Sequence, residues 1–352
     1  MTISHNIYIH VPFCMSKCNY CAFFSRACAS PDWDTYGDKI VQEIQYWAQK
    51  LGKISVPTIF FGGGTPSLMP IKTFEKIINA ITQEFSVLPD AEITLESNPG
   101  TLDAKKLNDF CLAGVNRLSV GVQSLQDSQL QFLGRRHTVH DSLTLLDAAK
   151  QQHIRLSADF IYGLPAQTTQ DVINLCNDIN NLELGHCSLY ELTIEENTPF
   201  GKMNLKMPDN QTMAEMYQAI QKNLNLTRYE VSNYSTQNQE CRHNQNVWAG
   251  APYIGIGPGA AGRIFFNDTW YEQIGDNVKF SKLSMTERAT EKLLTGMRTM
   301  RGTELTDDVK NIINIEFAKS NPDMLRFTHD NRIVATDAGI MVLDDLITKL
   351  IR

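Results

Sequence analysis

Six short apolar or alternating runs, at residues 7–11, 58–61, 92–96, 117–122, 156–161 and 187–192, are separated by segments whose apolar residues recur every three or four positions. Runs this short suit strands and the spacing between them suits amphipathic helices, so the chain reads as repeated βα units around a parallel sheet. Ile40, Ile44, Trp47 and Leu51 form one stripe, Phe74, Ile77, Ile78 and Ile81 a second, and Val172, Leu175, Ile179 and Leu182 a third. Stripes of this kind face the sheet as core. Six units close about three quarters of an eight-unit barrel, whose sites lie just after the C-terminal ends of the strands. The fold class expected is α/β, a partial (β/α)6 TIM-like barrel.

After Leu192 the alternation stops. A polar stretch at 193–210 leads to a helix near 212–224 and a Gly-rich run at 250–262. Beyond about residue 284 come helices at 286–300 and 306–317, a hairpin around Asn331 and Arg332, and a helix ending at Ile351. That order resembles a small winged-helix-like α+β appendage. The domains expected are therefore a barrel core at 1–225, a connecting region at 226–283 and a C-terminal domain at 284–352. A chain of 352 residues has room for one barrel of roughly 250 residues and such an appendage.

A net charge of −7 argues against bulk attraction to nucleic acid. No segment approaches about 18 continuous apolar residues, and residues 1–10 lack a basic region followed by an apolar stretch, so the expected location is the cytoplasm. Eight cysteines, three of them clustered, do not form the pattern of a disulfide framework in a reducing compartment. Cys28, Cys111, Cys176, Cys187 and Cys241 read as small core residues.

The clustered three, Cys14, Cys18 and Cys21, directly follow the first strand. Soft sulfur ligands in so short a loop can converge on an iron–sulfur cluster. A [4Fe-4S] cluster with three cysteines keeps one iron open, and a bidentate amino-carboxylate, such as the methionine end of S-adenosylmethionine, can occupy it. A zinc site completed by Cys28 or a histidine is the competing reading, although the Cys-x3-Cys-x2-Cys spacing is unusual for zinc. Next, Gly62, Gly63, Gly64 and Thr65 follow the second strand, where absent Cβ atoms would expose backbone amides to a ligand. Glu96, Gln123, Arg135 and Asp159 fall at or after later strand ends. Arg135 suits a cofactor carboxylate, Glu96 and Asp159 its hydroxyls or amine. Further on, His243 lies near Trp248 and suits an axial heme ligand, although a lone histidine is more often structural.

Together these residues resemble the radical S-adenosylmethionine superfamily, in the branch containing oxygen-independent coproporphyrinogen III dehydrogenase and the heme chaperones. The likeness covers nearly the whole chain: the segment Ile7-Tyr8-Ile9-His10-Val11-Pro12-Phe13 with its cysteine loop, Gly121-Val122-Gln123-Ser124, Leu133-Gly134-Arg135, Asp159-Phe160-Ile161-Tyr162-Gly163-Leu164-Pro165, and the block from Asn233 to Gly262. The resemblance implies that Tyr8, Gly63, Gly64, Thr65, Glu96, Gln123, Arg135 and Asp159 contact the cofactor, with Tyr20 of the cysteine loop beside them. Three features favour the chaperone side. Phe23 stands where the dehydrogenase has a further cysteine, and 13 residues precede Cys14 where the dehydrogenase carries a long extension. Also, His243-Asn244-Gln245-Asn246-Val247-Trp248 is similar to the chaperones' His-Asn-x-x-Tyr-Trp signature, with Val247 in place of Tyr.

The expected function is thus a heme chaperone carrying a [4Fe-4S] cluster, S-adenosylmethionine and heme, passing heme to acceptor hemoproteins of the respiratory chain. The competing reading is the radical dehydrogenase, drawing on an electron donor. A transient association with a membrane surface and a monomeric or homodimeric state fit either role.

Overall fold

The computed structural model describes residues 4–274 and 280–352; residues 275–279 of the expected connecting region lie outside the described residues, as do 1–3. Six parallel strands alternate with helices: β1 Asn6–Val11, α1 Trp33–Leu51, β2 Ser55–Gly63, α2 Ile71–Glu84, β3 Ser86–Ser97, α3 Ala104–Leu112, β4 Arg117–Gln123, α4 Val139–Gln151, β5 Arg155–Tyr162, α5 Thr169–Asn181 and β6 His186–Glu191. Their pairing order is their order in sequence. The partial (β/α)6 barrel expected from the sequence is therefore present.

Two strands run well past their expected limits. Beyond a register shift between Val56 and Thr58, β2 and β3 pair again at Ser55 with Ser86. Pro57 and Pro89 fall in this interruption, and proline removes a ladder donor, which is why the apolar pattern looked finished there. The helices start where side chains satisfy orphan amides. Thr138 with Asp141 and Thr168 with Asp171 form capping boxes on α4 and α5.

The sheet does not stop at six strands. After α6, Asn210–Asn223, strand β7, Asn233–Ser235, pairs antiparallel to β6. The short α7, Arg242–Trp248, then leads into β8, Tyr253–Ile256, which joins β1 on its free side and runs parallel to it. An antiparallel ribbon of β9, Ala261–Phe266, β10, Thr269–Ile274, and β11, Phe280–Lys282, completes that edge of the sheet, which among the described residues has twelve strands. The Gly-rich run at 250–262 is thus a strand and its turn. Gly255 is required there, since a Cβ would lie 2.2 Å from the Ala261 carbonyl oxygen.

One apolar core lies between the helices and the outer face of the sheet, taking Ile7, Ile9 and Val11 from β1 and Leu118, Val120 and Val122 from β4. The alternate residues line the lumen, and they are polar: Asn6 and His10, Thr58, Glu92 and Thr94, Arg117 and Ser119 are all buried. A second core forms from residues 289–350. It contains helices Met285–Gly296, Asp307–Ile312, Ile315–Ser320 and Leu343–Leu350, and a hairpin of Leu325–Phe327 with Arg332–Ala335. The helix expected at 306–317 is broken, because Asn314 caps a new one through the Phe317 amide. Among the described residues no helix is long and apolar enough to cross a membrane.

Candidate functional site

Strand ends and the loops after them surround a cavity of about 420 Å³, lined by eleven of the thirteen residues singled out from the sequence: Cys14, Cys18, Tyr20, Cys21, Gly63, Gly64, Thr65, Glu96, Gln123, Arg135 and Asp159. The cysteine loop is anchored at both ends. Near its start, the Gly64 and Thr65 amides donate to the Val11 and Phe13 carbonyls at 2.7 and 2.8 Å. Further along, the Asn19 amide donates to the Leu133 carbonyl at 3.1 Å and its side-chain Nδ2 to the Phe132 carbonyl at 2.8 Å.

These bonds revise the role of the glycines. The Gly63 amide is also taken, by Glu96 Oε2 at 3.1 Å, so the loop does not offer the free amides expected of it. What glycine provides is room. A Cβ on Gly64 would sit 2.7 Å from the Phe13 carbonyl and 2.9 Å from Cys14 Sγ, and one on Gly63, at φ +110°, would strike the His10 ring at 2.6 Å.

Three thiols on one cavity wall, with the loop bound to its neighbours on both sides, fit a [4Fe-4S] cluster by donor chemistry. Burial pushes the Cys21 thiol up, a cost that a bound metal centre would offset. Cys28 is tied to the loop by its backbone, its amide donating to the Cys14 carbonyl at 2.9 Å. Among the described residues, no three His, Cys, Asp or Glu side chains gather on a single-ion site.

Across the cavity, burial and the neighbouring Asp159 push the Glu96 carboxyl up to about 8. Burial likewise raises Asp159, which accepts from Ser119 Oγ at 3.1 Å. Two buried carboxyls raised side by side in one cavity favour a cationic guest. Gln123 turns the chain at the rim with φ +68°. The end of β6 and its loop add Tyr190, Glu191, Thr193 and Glu195 to the wall.

Tyr8 and His243 lie deeper in the barrel. Tyr8 donates its hydroxyl to, or accepts from, His10 Nδ1 at 2.9 Å and stacks 6.1 Å from Phe60. His243 sits in α7 against the barrel floor, 5% exposed, its ring 5.0 Å from Phe60. Both Glu92 carboxylate oxygens cap α7, accepting the Arg242 and His243 amides at 2.9 Å, and Glu92 also pairs with Arg155 at 2.9 Å. Glu92 stands four residues before the cavity residue Glu96 on its strand, and Thr58 five before Gly63, which places the floor about 13 Å or more below.

The floor network assigns the protonation of His243. Asn6 Nδ2 donates to the Pro252 carbonyl, so Asn6 Oδ1 accepts, and it takes the Thr58 hydroxyl proton at 2.8 Å. Thr58 Oγ1 is then an acceptor toward His243 Nδ1 at 2.8 Å, so the imidazole carries its proton on Nδ1 and a lone pair on Nε2. Burial holds the ring neutral, its pKa lowered to about 4. A neutral imidazole with one nitrogen fixed by a hydrogen bond is the form that ligates metals.

The Radical SAM superfamily model matches residues 8–179. Heme chaperone HemW of Escherichia coli K12 is 35% identical over 268 residues, which is 75% of this chain and 71% of that protein. HemW of Synechocystis is 35% identical over 327 residues, 84% of this chain and 78% of that one. The chain belongs to the HemW family of radical SAM proteins. A mitochondrial radical S-adenosyl methionine domain-containing protein 1 of Danio rerio is 36% identical over 278 residues; the match spans 74% of this chain and 61% of that relative's length. Among solved structures, coproporphyrinogen III oxidase (HemN) of Escherichia coli superposes with a TM-score of 0.81 at 18% identity, covering 99% of this chain and 90% of that one, a likeness of fold.

For a HemW-family chain, two contributors escaped the sequence. Asn98 bridges the Gly-rich loop to Arg135, donating from Nδ2 to Thr65 Oγ1 at 2.9 Å. His10 bonds through Nε2 to the Phe24 carbonyl at 2.7 Å, joining β1 to the far limb of the cysteine loop. Asn98-Pro99-Gly100 after β3 is a turn signal, and His10 sits two residues after Tyr8 on the lumen face, so both were visible only as pattern, not as contact.

Proposed function

We propose that this chain is a heme chaperone that holds a [4Fe-4S] cluster on Cys14, Cys18 and Cys21, binds S-adenosylmethionine in the cavity beside it, and passes heme to acceptor hemoproteins of the respiratory chain. The observation that carries the reading is the 35% identity to proteins named heme chaperone HemW over about three quarters of the chain. Supporting it, Glu96 and Asp159 suit the cofactor's cationic end, and the Nδ1-protonated His243 suits heme iron. When bound, the cluster supplies a low-potential electron and an open iron for the cofactor's amino-carboxylate. The protein's own contribution is to hold the thiols, exclude water below the Gly-rich loop, and keep His243 neutral.

His243 is buried on the inner face of α7, so ligation of a group as large as heme there requires α7 to move off Glu92 and Thr58. Acceptors at a membrane surface and an electron donor belong to the same proposal, as does a cytoplasmic location. The test titrates the anaerobically reconstituted protein with heme, wild type beside His243→Ala, and separately incubates the reduced protein with S-adenosylmethionine and coproporphyrinogen III. Stoichiometric heme uptake with an absorption spectrum altered in His243→Ala is expected. Absence of heme uptake overturns the chaperone reading, and turnover of the porphyrinogen at catalytic rates establishes the radical dehydrogenase in its place.

A further inference from the structure

Arg135 was expected to hold a cofactor carboxylate, but its guanidinium is already engaged on three sides. Nη1 donates to Cys18 Sγ at 3.4 Å, while Nη2 donates to the Gly121 carbonyl at 2.8 Å and to Asn98 Oδ1. The planar fork is thereby oriented by a backbone carbonyl and an amide, and points an N–H at a sulfur the cluster would use. Asn98 is fixed in turn by Thr65. Gly121 permits the arrangement, for a Cβ there would lie 2.9 Å from Asn98 Oδ1 and 3.2 Å from Arg135 Nη2. Tyr20 stands against the same guanidinium.

From this geometry we infer that Arg135, oriented by Asn98 and Gly121, is a positioning residue of the cluster's own surroundings that donates an N–H···S hydrogen bond to the Cys18 thiolate and raises the cluster's reduction potential. The physical reason is charge. Reduction adds an electron to a thiolate-bound cluster, and a buried cation with an N–H aimed at one sulfur stabilises that added charge. The inference rests on the cluster reading above, and extends it from ligands to what tunes them.

The experiment uses the full chain, reconstituted anaerobically, in wild type, Arg135→Met, Arg135→Lys and Asn98→Ala forms. Iron and sulfide analysis comes first: a wild type that takes up no cluster sinks the cluster reading itself, whatever the variants do. With the cluster loaded, potentiometric titration followed by electron paramagnetic resonance should give a more negative midpoint for Arg135→Met. Arg135→Lys should fall between it and wild type, and Asn98→Ala should shift in the same direction by less. Resonance Raman on wild type and Arg135→Lys provides a second readout, should Arg135→Met fail to load. The wild-type Fe–S(Cys) stretches should move on exchange into D2O, and less so in Arg135→Lys. Midpoints of Arg135→Met and wild type that coincide, or stretches insensitive to D2O in wild type and Arg135→Lys alike, overturn the inference.

Discussion

Glu92 and Glu96 sit on the same strand, four residues apart, facing the same polar lumen, and meet opposite fates. At the floor, burial alone would push Glu92 up, yet Arg117, the His243 and Arg242 amides and Arg155 together hold it below the usual carboxylate range. At the cavity, burial and Asp159 act in one direction on Glu96 and only the Gly63 amide and Arg117 oppose them. One end of the lumen is closed upon itself, with its charges paired. The other is left electrostatically incomplete, as a binding end should be.

The largest test of this contrast is Glu92→Gln. It leaves Arg155 without its carboxylate and weakens the cap on α7, so a loss of about 3 to 5 kcal/mol is expected in urea unfolding of the apoprotein. Glu96→Gln mimics the protonated carboxyl, so it should match the wild type to within about 1 kcal/mol near pH 4.5 and gain on it as the pH rises. Equal losses in the two variants would erase the distinction.

The pH profile of apoprotein stability comes next. The folded-state value of Glu96, about 8, lies above its ordinary 4.5, so between those values the native state binds more protons than the unfolded one. This group's contribution is therefore fully present below about pH 4.5 and lost as pH rises toward 8. Cavity water reduces its size, leaving roughly 2 to 4 kcal/mol. The slope should vanish in Glu96→Gln. A wild type whose Glu96-dependent stability instead grew with pH across this range would have the sign reversed.

Binding should carry the same signature. S-adenosylmethionine brings positive charge to Glu96 and Asp159, so calorimetry near pH 7 in buffers of different ionisation enthalpy should detect proton release on binding to the wild type and less to Glu96→Gln. At the floor, Thr58→Val removes the acceptor of His243 Nδ1 while keeping the shape of the side chain. A loss of about 1 to 2 kcal/mol is expected, together with a His243 imidazole whose nitrogen resonances no longer report a single Nδ1-protonated tautomer. The smallest change is Ser119→Ala, which deletes one donor to Asp159 and should cost about 1 kcal/mol or less above the pKa of that group.

Much of this molecule was legible in its primary structure because the relevant signals are local. Period-two and period-3.6 apolar patterns are read within a dozen residues, and they located all six barrel strands and three of the five helices between them. The cysteine spacing and the Gly-rich loop are likewise contiguous, and their cavity is lined by eleven of the thirteen residues singled out, without Tyr8 and His243. The hidden parts depend on pairs distant in sequence. Strand β8 pairs with β1 some 247 positions away, the difference between Tyr253 and its partner Asn6. Nor does anything near His243 announce Glu92, 151 residues apart, or Thr58, 185 apart.

The βα repeat, the three thiols after the first strand and the residue types at the strand ends are all written in short segments, because steric period and donor chemistry are local properties. What those groups touch follows from the fold around them. The fold turned the glycines from amide donors into the space that lets Phe13, Cys14 and His10 approach. It also spent Arg135 on Cys18 and Asn98, and set His243 into a closed floor away from the cavity. These outcomes depend on which partners folding brings within hydrogen-bond reach, and a buried polar group takes its role from the partner it finds.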